Sequence, residues 1–252
     1  MKPIYVRGVG LWSLGYASAA AFRLGEPDPQ VERPRCALVD ARLKRGSSRF
    51  ANMLGEVVEQ AATSAGLDVR AVPTFYGSSL GEIETMVVLL RMLYEEEGKL
   101  SPNRFKNSVH NAASGLMSIA TANTAFSTAI AGGERTFEMT LLEAWAYADV
   151  EGGSVIVAVG DDSPPVPLDS LGTYGPLAVG LALSDAPGGM RLSGLRRMDA
   201  PLEGRVEVAK ELAPNCASAA LELVDAVLAR RAGTVSLAPL GRVGMCADLE
   251  PA

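Results

Sequence analysis

The chain has 252 residues, 48% hydrophobic and 21% charged, with a net charge of −6. Such a chain can bury a globular core without disulfide or metal staples. Its acidic balance excludes nucleic acid as the main partner, because phosphate binding needs a basic face. Three cysteines, Cys36, Cys216 and Cys246, form no CxxC pair and no metal-ligand spacing. A reducing cytoplasmic compartment is expected, with no metal and no cofactor. The first ten residues carry no long apolar region ahead of a cleavage site, so no signal peptide is expected. No run approaches the ~20 apolar residues of a membrane span.

Residues 4–9 form a β-rich run ending in glycines, which predicts a strand. Residues 26–36 hold three prolines and many charges and predict a loop. Residues 50–65 place Ala51, Leu54, Val57, Val58, Ala61 and Ala62 at helical spacing, with Gly66 as C-cap. A buried strand follows at 71–76 and a second helix at 81–97, whose end, Glu95 to Glu97, reads as solvated. Residues 108–121 are small and apolar and predict a buried helix. A strand at 126–131, a nearly all-apolar helix at 136–149 and a β-branched strand at 154–159 come next. Residues 161–176 form a proline-rich loop. Segments 177–184 and 190–195 read as a strand pair joined through residues 186–189. An amphipathic helix at 217–230 precedes closing strands at 234–237 and 243–249.

Strands alternate with helices to about residue 160, and strands then follow in succession. That order predicts an α/β fold with a mixed sheet. No short repeat, low-complexity tail or linker divides the chain, so residues 1–252 read as a single domain with a short helix–strand closure at the C-terminus. Gly8-x-Gly10 after a strand looks like a dinucleotide fingerprint, but Ser13 stands where the last glycine belongs.

Four stretches carry a resemblance, in order: IYVRGVGLWSLG; GSSRFANMLGEVVEQAATSAGLD; FYGSSLGEIE; and the run from Ser101 to Asp162 containing SPNRF, VHNAASGLMSIA, FSTAIAGG and SVIVAVGDD. Together they resemble the N-terminal half of the β-ketoacyl synthases, over roughly residues 3–195. The resemblance implies an α/β thiolase-like mixed sheet with helices on both faces and a shortened second half. Gly8, Gly10 and Gly15 match the family's opening strand and glycine turn. The family's nucleophilic cysteine falls on Glu134.

A turn between a strand and a buried helix presents its residue to free N–H groups and the helix dipole, which favour an anion. A cysteine there becomes a thiolate nucleophile. Glutamate is also stabilised there as an anion, but a carboxylate cannot replace a thiolate in thioester exchange. The family's histidines are missing as well: the chain has one, His110, which matches a helix start. No catalytic residue is therefore assigned, with Glu134 and His110 kept as the weak candidates.

The resemblance implies a non-catalytic subunit like a chain length factor. It would pair with an active ketosynthase in fatty acid or polyketide assembly, with short versions linked to aryl polyene pigments. It also implies an interface at Ser108, Asn111, Ser114 and Gly115 on a helix, and at Ser127, Thr128, Ala129, Ile130 and Ala131 on a strand. Met117, Phe126 and Phe137 are expected at a substrate tunnel. Arg42, Lys44, Arg45 and Arg49 form a basic cluster that can dock an acidic acyl carrier protein; a solvated loop is the plain alternative. Two other readings stay open: a malonyl-thioester decarboxylase using Glu134, and a homodimer that binds acyl chains or acyl carrier protein.

Overall fold

The structure is a computed structural model that describes residues 1–95, 98, 100–168 and 173–252. Its elements in chain order are β1 (Ile4–Ser13), α1 (Ala19–Leu24), α2 (Ala41–Lys44), α3 (Arg49–Ala65), β2 (Thr74–Gly77), α4 (Ile83–Glu95), α5 (Pro102–Lys106) and α6 (Ala112–Thr121). Then come β3 (Ser127–Ile130), a 3-10 turn (Gly133–Arg135), α7 (Thr136–Glu151), β4 (Ser154–Asp161), β5 (Leu177–Ser184) and β6 (Met190–Arg197). A second 3-10 turn (Cys216–Ala220), α8 (Leu221–Leu228), β7 (Gly233–Ser236) and β8 (Met245–Pro251) close the chain. Glu96 and Glu97, read as part of a solvated helix end, lie outside the described residues.

Among the described residues, eight strands join one mixed sheet in the order β3-β2-β4-β5-β1-β6-β8-β7. β2 runs parallel to β3 and β4, and every other pairing is antiparallel. The expected strand pair 177–184 and 190–195 is corrected here. β1 lies between β5 and β6 and pairs with both. Gly189, at φ 73, passes so close to Val6 that a Cβ would lie 2.2 Å from the Val6 carbonyl oxygen. The connection therefore crosses the end of β1 instead of closing a hairpin.

Side-chain alternation along the central strands divides the core between the two faces. Val155, Val157, Val159, Leu177, Val179 and Leu181 point to one face, packed by Phe137, Leu141 and Trp145 of α7 and Leu223 of α8. Ile156, Ala158 and Ala178 point to the other, against Met53, Leu54 and Val57 of α3 and Met117 of α6. The α3 face is paved with small residues. A Cβ at Gly180 would lie 2.2 Å from the Val57 carbonyl oxygen, one at Gly10 2.7 Å from it, and one at Gly8 2.4 Å from the Ala61 carbonyl oxygen. Gly8 and Gly10 thus lie inside β1, where they let a helix backbone approach; only Gly15, at φ 80, belongs to a turn. Ser48 N-caps α3 and Gly66 closes it in the left-handed conformation.

Two helices begin later than their periodicity suggests. Residues 108–111 form a turn before α6, and the 3-10 turn at Cys216 precedes the regular turns of α8. Among the described residues, no helix is long and apolar enough to cross a membrane.

Candidate functional site

The parallel strands β3, β2 and β4 end on the same side of the sheet, the side where α/β folds place ligands. β3 leads into the elbow Gly132-Gly133-Glu134, and α7 starts at Thr136. Gly133 takes φ 57, a conformation natural to glycine. Thr136 staples the elbow: its Oγ1 donates to the Gly133 carbonyl at 2.7 Å and accepts from the Gly132 N–H at 3.0 Å. Ser79 Oγ donates to the same carbonyl at 2.7 Å.

Beneath the elbow lies a buried polar cluster that the sequence reading missed. Asp161, with no exposed surface, ends β4. Its carboxylate accepts from Ser78 Oγ, from the Ser79 N–H at 3.0 Å and from the Leu80 N–H at 3.1 Å. Burial pushes this carboxyl above its usual range, against the pull of the Ser78 hydroxyl and the Leu80 amide. Asn215 Nδ2 donates to the Asp161 carbonyl at 2.9 Å and anchors the second 3-10 turn. Burial, then the Asp161 charge, raises both the Cys216 thiol and the Tyr174 hydroxyl. Cys216 is therefore near the elbow and disarmed, since a thiol held above its usual range supplies little thiolate. Burial likewise pushes Cys36 up to about 12. The sequence signal was an aspartate closing an apolar strand run, SVIVAVGDD.

Glu134 itself is open to solvent, its side chain 70% exposed, with Arg242 Nε 3.9 Å away. Its neighbour Arg135 turns back to Glu138, which is buried. Glu138 also accepts from the Met245 N–H at 2.9 Å, so the start of β8 is tied to the first turn of α7. His110 Nε2 lies 2.9 Å from the Ser78 carbonyl oxygen. A carbonyl only accepts, so Nε2 carries the proton. The Ser78–Ser79 loop thus touches both, His110 through the Ser78 carbonyl and the elbow through the Ser79 hydroxyl.

Of the expected tunnel residues, Met117 and Phe137 are on opposite faces of the sheet. Phe137 is fully buried in the α7 core. Phe126 lies on the Phe137 side, half-exposed and stacked on Tyr147 at 5.0 Å. The three do not line one cavity, because helices α6 and α7 that carry Met117 and Phe137 cover opposite faces.

Of the expected interface residues, β3 forms an edge of the sheet, with Ser127 exposed, Thr128, Ala129 and Ile130 half-buried and Ala131 exposed. Asn111 and Gly115 are exposed, and open space surrounds the position of a Gly115 Cβ. Ser108 and Ser114 are buried within the chain, their hydroxyls donating to the Phe105 and Asn111 carbonyls at 2.8 and 3.0 Å.

The basic cluster also divides. Arg42 and Arg45 are exposed and Lys44 half-buried, its Nζ donating to the Arg35 carbonyl. The Arg49 guanidinium grips the buried carboxylate of Asp162, Nε to Oδ2 at 2.9 Å, and ties α3 to the end of β4. Among the described residues, no group of histidine, cysteine, aspartate and glutamate has the geometry to hold a metal.

A thiolase-like mixed sheet with a helix-capped elbow at the ends of its parallel strands defines the ketosynthase class of fold. Residues 21–237 match the profile of the Beta-ketoacyl synthase, N-terminal domain, and the chain belongs to that family. Three solved assemblies share the fold. One is the ketosynthase ApeO in complex with its chain length factor ApeC from Xenorhabdus doucetiae, with 18% identity and a TM-score of 0.71 over 98% of this chain and 100% of that chain. Another is the ishigamide ketosynthase/chain length factor, with 13% identity and a TM-score of 0.74 over 99% of each chain. The third is AntDE:AntF, a type II PKS acyl-carrier protein in complex with its ketosynthase, with 14% identity and a TM-score of 0.72 over 100% of this chain and 99% of that chain. No curated protein matches the sequence.

Proposed function

We propose that this chain is a chain length factor-like subunit, without condensing activity of its own, that pairs with an active β-ketoacyl synthase in fatty acid or polyketide assembly. The reading rests on the elbow. A strand, a two-glycine elbow and a buried helix follow one another as the family requires, and the resemblance, laid on without gaps after Asn111, puts Glu134 at the nucleophile's place, where a carboxylate cannot accept an acyl group as a thioester. The buried Cys216 does not supply the lost thiolate.

The edge strand supports a partner. Among the described residues β3 pairs only with β2, leaving backbone groups on its outer edge. Beside it, Ile119 of α6 is 64% exposed and Phe126 47% exposed. A partner strand and helix at this edge would cover both. ApeC is described as the chain length factor of ApeO, and aryl polyene assembly is the proposed setting by analogy with short subunits of this type. The decarboxylase reading gains little from an exposed Glu134.

The test is co-expression with a candidate ketosynthase followed by size-exclusion chromatography with mass measurement. A one-to-one complex is expected. A chain that forms only a dimer with itself, whichever ketosynthase is offered, would reject the proposal in favour of a homodimeric acyl- or carrier-binding protein.

A further inference from the structure

We infer that residues 199–208 are a strap, latched by Glu222, that swings onto the open edge of β7 when the latch is released and adds a strand to the sheet.

The strap is held at one point. Among the described residues, the backbone of residues 199–208 makes two hydrogen bonds, from the Arg205 and Val206 N–H groups at 2.9 and 3.3 Å, and both end on Glu222 Oε2 of α8. Its two ends are fixed: the Met198 N–H donates to the Gly244 carbonyl at 2.8 Å, and the Glu211 carbonyl accepts from the Gly175 N–H at 2.7 Å. Between them, residues 199–205 are exposed without a break. Open space lies on both sides of the latch. One cleft of about 320 Å³ faces β7, another of about 260 Å³ faces α1, and Arg205 and Val206 line both.

β7 is ready to receive a strand. Just past it, the Leu237 N–H donates to the Met245 carbonyl at 2.9 Å. Antiparallel pairing alternates, so Gly233 and Val235 turn their backbone groups to β8, and Thr234 and Ser236 turn theirs outward. Thr234 and Ser236 are the β7 residues that line the cleft facing the strap. The strap has a sequence suited to that edge. Leu202, Gly204, Val206 and Val208 alternate with Glu203, Arg205 and Glu207, the period of a strand with one apolar side. Leu202 and Leu240, 38% and 39% exposed, line the same cleft and are covered when it closes.

The latch competes with that pairing. A carboxylate accepts amide hydrogen bonds more strongly than a carbonyl does, and Arg231 Nη2, 3.2 Å from Glu222 Oε1, holds the carboxylate in place. With the strap latched, the sheet keeps an open edge at the end opposite β3; with it released, that edge is closed to any other strand.

The test is amide hydrogen exchange together with limited trypsin digestion of the full chain. In the wild type, the Thr234 and Ser236 amides should exchange rapidly, and trypsin should cut after the exposed Arg205. In Glu222→Ala, exchange at Thr234 and Ser236 is expected to slow at least about tenfold, and cleavage after Arg205 to slow with it. Glu222→Gln keeps the side chain's shape and one acceptor oxygen, so it should fold as the wild type does and move both readouts the same way by at least about twofold. The Val235 amide, bonded within the sheet, is the internal control and should not change. Faster cleavage after Arg205 with unchanged exchange at Thr234 and Ser236 describes a strap that only loosens, and would overturn the inference. Slow exchange at both amides already in the wild type would overturn it as well.

Discussion

Ser79 Oγ holds the Gly133 carbonyl at 2.7 Å, one residue before Glu134. The same loop gives the Ser78 hydroxyl and the Ser79 and Leu80 amides to Asp161. The elbow is therefore supported from below by a buried carboxylate that touches no solvent. Asp161→Ala leaves those donors without an acceptor, each costing about 1–3 kcal/mol. A loss of about 3 kcal/mol or more is expected in urea unfolding, with Asp161→Asn losing less. A loss under about 1 kcal/mol for the alanine variant would contradict this support.

Glu82 gives the pH dependence a sign. It is buried, accepts from Ser48 Oγ at 2.7 Å and from Thr85 Oγ1 at 3.1 Å, and burial raises its carboxyl above the usual range. The folded state holds this proton more tightly than the unfolded state. The group's contribution to stability therefore falls as pH rises from the unfolded value through the raised folded value. Glu82→Gln should match or exceed the wild type in Tm at about pH 8, and the wild type should gain on it at about pH 5. A gap that moves the other way on acidification contradicts the assignment.

Ile119 separates folding from assembly. Its side chain is exposed on α6, so Ile119→Asp should change stability by no more than about 0.5 kcal/mol. If the β3–α6 edge meets the ketosynthase, the same change desolvates a charge in the interface and should weaken the complex at least about tenfold. Unchanged pairing would move the interface elsewhere.

The sheet and its helices were legible because periodicity reports burial. The continuous β-branched run at 154–159 marks a strand buried on both sides, and helical spacing at 50–65 marks the face that the core covers. The position of β1 between β5 and β6 was not legible, since it depends on pairing between residues far apart in sequence. The elbow was legible because it is local: a strand, two glycines and a helix start. The Asp161 cluster joins residues from four separate segments, so only the folded chain brings it together. The ion pair of Arg49 was hidden for a similar reason. Arg42, Lys44 and Arg45 precede it in the sequence, but its partner, Asp162, comes from the end of β4. Met117 and Phe137 look like companions near one elbow, yet their helices cover opposite sides of the sheet.

The most direct test of the central claim is the condensing activity of the co-purified pair. Glu134→Ala in this chain should leave both the complex and the rate of acyl chain extension within about twofold of wild type. Replacing the nucleophilic cysteine of the ketosynthase partner should abolish extension. Loss of extension on Glu134→Ala, with the complex intact, would contradict a non-catalytic subunit and would assign Glu134 a chemical role.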